Sequence, residues 1–230
     1  MRSILFLLVV ALFFSCGENH EVKTPGTIGA SADVKEIVKH FDPASITKLN
    51  VADIPVSCVT KGEVISAFKW TDKLGENVFI ATETGEIPSS KVYSEIALSD
   101  AHVYAYHYVI QENQVKLIRE LHDFVSECNF DINASFIPRT IHITDLNSDD
   151  TGEIWMMYKT YCLSDASPSD LKIMMFQNGQ KYAIRGNSLM DLGNQDIYGG
   201  DYKMDEAFSS GPSVFRDFAK SMWKDHIEGN

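Results

Sequence analysis

The sequence predicts a mainly β protein, an antiparallel meander of about eight strands in two four-stranded units, with a short helix before it and an amphipathic helix after it. Three observations carry that expectation. Short β-rich runs follow one another from residue 64 to residue 185. Most are joined by brief, turn-forming connections, as antiparallel neighbours require. No run longer than two turns shows helical spacing between the first of them and Pro212.

The elements follow in chain order. Ser31 can cap a helix in which Val34, Ile37, Val38 and Phe41 recur at helical spacing, and Pro43 ends it. Residues 64–71 and 77–84 flank the turn-rich stretch Asp72-Lys73-Leu74-Gly75-Glu76. Residues 102–110 and 115–125 flank Gln111-Glu112-Asn113-Gln114. Residues 140–145 and 153–162 flank an Asp/Asn-rich loop, and residues 171–177 and 181–185 flank Asn178-Gly179-Gln180. Asn-Gly is the strongest short hairpin signal, because both residues tolerate positive φ. Gly211-Pro212 then opens a helix whose apolar face is Val214, Phe215, Phe218, Ala219, Met222 and Trp223, the stripe of a helix lying over a sheet.

The eight runs read as one unit used twice. Thr71-Asp72 followed by Gly75-Glu76 parallels Thr144-Asp145 followed by Gly152-Glu153, and a further hairpin follows each. Four strands per unit suit a propeller blade, but two blades cannot close a ring. Two packed four-stranded sheets, or one long bent sheet, are the expected outcomes.

The N-terminus carries an address. Arg2 precedes an apolar stretch from Ile4 to residue 14, and Ser15-Cys16 follows. A basic n-region, a short apolar core and a small residue at the cut site form a secretory signal peptide, assigned to residues 1–15. The stretch is shorter than the ~20 residues a spanning helix needs. Cys16 after the small residue resembles the lipobox of bacterial lipoproteins, with Phe13 where Leu is usual. That resemblance implies acylation of Cys16, a lipid anchor in the membrane and, with Gly17 rather than Asp next, the Gram-negative outer membrane on its periplasmic or cell-surface side. Residues 16–30, polar with Pro25, Gly26 and Gly29, form the tether, and residues 31–230 the single globular domain.

Composition narrows the partners. The 20 basic residues less Arg2 leave 19 in the mature chain against 32 acidic ones, a net charge of −13. Nucleic acid rewards clustered Lys and Arg, so none is expected as a partner. Cys58, Cys128 and Cys162 remain after the anchor and allow one disulfide in an oxidising compartment. Cys128–Cys162 is the favoured pair, against three buried thiols as the alternative.

Two constellations could bind something. In Asp145-Leu146-Asn147-Ser148-Asp149-Asp150-Thr151-Gly152-Glu153, oxygen side chains stand at relative positions 1, 3, 5 and 9, and the Thr151 carbonyl at position 7 can complete a shell. A hard cation such as Ca2+ takes such a set. The loop resembles those of integrin-type β repeats and EF-hand-like proteins, except that Asp150 replaces the turn glycine and position 12 is Met156. Calcium bound there would be structural, with affinity on the order of 10⁻⁴–10⁻³ M. The alternative is a solvated hairpin loop of Asx turns. The second constellation is His102, Tyr104, Tyr106 and Tyr108, which alternate and therefore share one strand face. Such rings can stack on sugars, or pack against a neighbouring layer. His107 and His142 read as hydrogen-bonded structural histidines. No nucleophile elbow, phosphate-cradling glycine loop or dinucleotide fingerprint occurs in the sequence.

Residues 70–77 (Trp-Thr-Asp-Lys-Leu-Gly-Glu-Asn), Tyr104-Ala105-Tyr106-His107, Thr144-Asp145-Leu146-Asn147-Ser148-Asp149, Ser167-Pro168-Ser169, Lys181-Tyr182-Ala183 with Arg185-Gly186, and residues 214–219 carry a wider likeness. On these the chain, from about Phe68 to Trp223, resembles Bacteroidota-type lipoproteins described as surface polysaccharide biosynthesis proteins. The resemblance implies a part in lipopolysaccharide or capsule production or display and brings no catalytic residues with it. The expected function is therefore non-catalytic support of surface polysaccharide by binding a glycan or an envelope protein. A glycan-active hydrolase or transferase, and an envelope interaction protein without a glycan role, are the alternatives.

Overall fold

A computed structural model describes residues 40–91, 96–112, 114–193 and 196–229. The leader, Cys16, the tether and most of the expected N-terminal helix lie outside the described residues. Five antiparallel strands form the first sheet in chain order: β1 (Thr47–Lys48), β2 (Glu63–Asp72), β3 (Gly75–Pro88), β4 (Ser99–Gln111) and β5 (Gln114–Cys128). After them come β6 (Asp131–Phe136), β7 (His142–Thr144), β8 (Glu153–Leu163), β9 (Asp170–Gln177), β10 (Gln180–Asn187), β11 (Leu189–Asp191), β12 (Ile197–Gly199) and β13 (Tyr202–Met204). The second sheet has the order β13-β10-β9-β8-β6, with β7 paired to β8 beyond the end of β6, while β11 and β12 form a separate ribbon. The protein is mainly β and antiparallel. Strands β2 to β5 and β7 to β10 are two four-stranded meanders, each a run of successive neighbours.

Strands in the middle of each sheet are buried on both faces, so their sequences read as unbroken apolar runs. On β3, Phe79 and Ala81 face the second sheet while Val78 and Ile80 face away. On β8, Ile154, Met156 and Tyr158 meet the first sheet, and Trp155 and Met157 face outward. The sheets therefore form a sandwich with a central core and a further apolar layer on each outside.

Each outer layer has its own cover. The helix α2 (Ser213–Asp225), preceded by Pro212, lays Phe215, Ala219, Met222 and Trp223 on Trp155, Ile173, Met175 and Ile184 of the second sheet. The short helix α1 (Glu206–Ser210) adds Phe208, and its first turn is capped by the Asp205 carboxylate, which accepts from Phe208 N at 3.0 Å. Burying each of the large apolar side chains among these contributes about 1.5–3 kcal/mol. Val214, assigned to the same apolar face, is 40% exposed and is not part of that packing. Over the first sheet the cover is the chain between β1 and β2, with one 3-10 turn at Val51–Asp53, through Leu49, Ile54 and Cys58.

Cys128, the last residue of β5, is bonded to Cys162 of β8, so the disulfide joins the two sheets. Cys58 is buried and free.

Candidate functional site

The loop between β7 and β8 is organised by its own acidic side chains. Asp145 accepts the backbone N–H of Asp149 on one oxygen, at 3.0 Å, and that of Asp150 on the other, at 3.1 Å. Asp149 accepts from Thr151 N at 2.9 Å, from Asn147 Nδ2 at 3.0 Å and from Gln177 Nε2 at 2.8 Å. These bonds hold Ser148 and Asp150 at positive φ, 57° and 64°, a conformation in which a short polar side chain costs less than most. Glu153 turns away from the loop mouth. It is fully buried, and its carboxylate accepts from Thr144 Oγ1 at 2.7 Å and from Leu146 N at 2.9 Å. Burial pushes its pKa up, while those hydrogen bonds act against the rise. Thr151 is buried as well. Among the described residues, no three His, Cys, Asp or Glu side chains converge as a metal cage would require. Asn147 Oδ1 is buried without a hydrogen-bond partner, while the Nδ2 of the same amide donates to Asp149.

This loop docks on its counterpart in the first meander. Asp72, at the end of β2, is fully buried and accepts four hydrogen bonds: from Trp70 Nε1 (3.0 Å), Leu74 N (2.8 Å), Asn77 Nδ2 (2.8 Å) and Gly152 N (2.9 Å). Lys73 N donates to the Asp150 carbonyl at 2.9 Å. Gly152 has to be glycine here, since a Cβ would stand 2.7 Å from Trp70 Nε1. His107 stacks on Trp70 with centroids 5.6 Å apart, and its Nε2 lies 2.8 Å from Asn77 Oδ1. Burial drives the His107 pKa from 6.5 down to about 4, against the pull of Asp72. The arrangement is a structural clasp. His142, by contrast, is exposed and meets Phe218 edge-on.

The aromatic row of β4 lies on one face, as its alternation requires, but that face is mostly covered. Tyr104, Tyr106 and Tyr108 are buried beneath the β1–β2 segment. The Tyr106 hydroxyl accepts from Lys61 N at 3.1 Å, and the Tyr108 hydroxyl donates to the Val59 carbonyl. Burial raises all three phenol pKa values, that of Tyr108 up to about 12. Of the two readings the sequence leaves open for this row, packing describes the three tyrosines, and His102 alone of the four is not buried.

Access returns where the cover ends. His102 of β4 stacks with His122 and Phe124 of β5 at centroid distances of 5.2 and 5.6 Å, and His122 lies 4.4 Å from Tyr104. The rings of His102, His122 and Tyr104 lie within 29° of parallel. Lys61 Nζ sits 5.8 Å above the Tyr104 ring. His102 Nδ1 and His122 Nε2 are 3.0 Å apart and share a hydrogen bond. Burial first, then the neighbouring His102, lowers the His122 pKa. Phe124 is 49% exposed and His122 is exposed, so the row ends in an open shelf of flat rings on paired strands. His122 and Phe124 alternate along β5 as a readable signal, but their meeting with His102 depends on the β4–β5 register.

Comparison with family models, with curated proteins and with solved structures found no match to this chain.

Proposed function

We propose that this protein is a non-catalytic outer-membrane lipoprotein, anchored through acylated Cys16, that supports surface polysaccharide production or display by binding glycan. The observation that carries the binding part is the shelf of His102, His122 and Phe124 beside Tyr104. Flat rings with polar edges match the alternating apolar faces and hydroxyl rims of sugar rings. Their mounting on paired strands, rather than on loops, limits the ordering cost of binding.

The test is a titration of the soluble fragment from Gly17 onward with surface oligosaccharides, followed by NMR at the shelf. Binding is expected, with a loss of at least about tenfold in F124A and H122A. Unchanged affinity in both variants, or no glycan binding at all, would remove this reading. Mass spectrometry of membrane fractions is expected to find an acylated Cys16 at the N-terminus.

A structural Ca2+ at Asp145, Asn147 and Asp149 belongs to the same proposal. What supports it is the unpartnered, buried Asn147 Oδ1 in a loop that also carries Asp145 and Asp149; Glu153 takes no part, being tied to Thr144 and Leu146.

A further inference from the structure

The register of the second sheet sets three cations in a row. Lys172 of β9 stands opposite Arg185 of β10, and Arg185 stands opposite Lys203 of β13. Neighbouring strands are about 4.8 Å apart, and like charges directly opposed across strands destabilise a sheet. The row stands in a chain with 32 acidic and 20 basic residues, so it runs against the sign of the molecule's net charge.

The three cations are not equivalent. Lys172 is held from behind by Asp123 of β5, at 2.7 Å, and lies 5.8 Å from the Tyr158 ring centroid. Arg185 and Lys203 are exposed. Among the described residues, neither has a carboxylate within the 4.0 Å of an ion pair. All three line one open cavity of about 530 Å³, together with Asn187, Asp170, whose carboxylate accepts from Asn187 Nδ2 at 3.3 Å, and Asp201. That volume suits a small-molecule site. Gly186 shapes the wall, because any side chain on it would overlap the Asp201 carbonyl; its absence lets that turn ride over β10.

We infer that this cleft binds the anionic group, phosphoryl or carboxylate, of a hydroxylated ligand. Arg185 offers a planar fork of N–H donors that fits either group, and Lys203 adds a mobile charge beside it. Asp170 and Asp201 cannot attract the anion, but as acceptors they suit hydroxyl hydrogens next to it. The ligand class is therefore a sugar phosphate or a sugar acid. The lining residues of the cleft are none of those that form the ring shelf, so the inference does not depend on it.

The experiment is an NMR titration of the fragment from Gly17 onward with glucose 1-phosphate, with glucuronate and with uncharged glucose, read at the amides of Gly186 and Lys203. At least one charged probe is expected to saturate while glucose does not, and the tighter of the two identifies the anionic group. Affinity should fall as salt rises. It should drop at least about tenfold in R185Q and in K203Q, and stay unchanged in the control K69A, whose lysine pairs with Glu76 elsewhere.

A second reading separates binding from structure. Without ligand, R185Q should melt at the wild-type temperature or about 1–3 °C above it, because it relieves opposed charges. A clear fall in melting temperature would mark the row as structural and overturn the inference. So would the absence of saturable shifts with both charged probes, or equal shifts with glucose. Because the ring shelf is read at His122 and Phe124, failure at Gly186 and Lys203 leaves that reading to its own test.

Discussion

The Asp72 carboxylate accepts the backbone N–H of Gly152 at 2.9 Å, across 80 positions of chain. In each meander an Asp organises the turn that follows the first strand: Asp72 ends β2, and Asp145 comes directly after β7. Only Asp72 also reaches into the opposite meander's loop. The repeat is thus used asymmetrically, one turn serving as the receptor for the other.

Replacing Asp72 with Ala is expected to cost on the order of 3–5 kcal/mol. Two buried donors, Trp70 Nε1 and Gly152 N, lose their acceptor at once, the part-buried Leu74 N loses its own, and Asn77 Nδ2 keeps only the Gly75 carbonyl; an unsatisfied buried donor costs about 1–3 kcal/mol by itself. Urea denaturation of D72A against wild type measures the loss; a change below about 1 kcal/mol would show that water replaces the carboxylate.

His107 predicts a pH dependence with a definite sign. The unfolded chain takes up a proton near the ordinary value of 6.5, the folded chain near 4. The folded state is therefore at full strength above pH 6.5, weakens as pH falls between 6.5 and 4, and loses nothing further from this group below that. The whole window amounts to roughly 3 kcal/mol. Stability measured at pH 7.5, 5.5 and 4 should trace this loss, and H107Q should flatten it.

Removing the bridge between the sheets is expected to cost about 3–4 kcal/mol in the chain-entropy account of a loop of this length. The double variant C128A/C162A should melt correspondingly earlier. The fragment from Gly17 onward should titrate one thiol in denaturant and three after reduction.

Calcium gives a fourth prediction. Millimolar Ca2+ should raise the melting temperature relative to chelator, by RT ln(1 + [L]/Kd), and N147A should abolish the difference. D145A is a poorer test, since Asp145 also holds the Asp149 and Asp150 amides. Identical melting with calcium and with chelator would dismiss the ion.

Much of the fold was legible because its signals are local. Asn178 and Gly179 take positive φ, 46° and 74°, between the paired Gln177 and Gln180, which is what the Asn-Gly pair demands. The eight main strands follow from β-rich runs between turns. Strand β6 was missed because Asp131-Ile132-Asn133 is polar at its start and its partner, β8, comes later in the chain. Alternation put the β4 rings on one face but could not tell which layer covers it, since a period of two fixes who shares a face and not what lies above. The clasp and the cationic row were hidden for the same reason. Lys172, Arg185 and Lys203 are far apart in sequence, and only the pairing of β9, β10 and β13 makes them neighbours.

The bridge from Cys128 to Cys162 spans the junction at which the first sheet gives way to the second, just before the exposed bend carrying Asn129 and Phe130. A protease nicking the chain between those two residues would leave both halves covalently tethered and still clasped through Asp72. Such damage would be invisible on a non-reducing gel and would part the molecule into two fragments once a reductant was added.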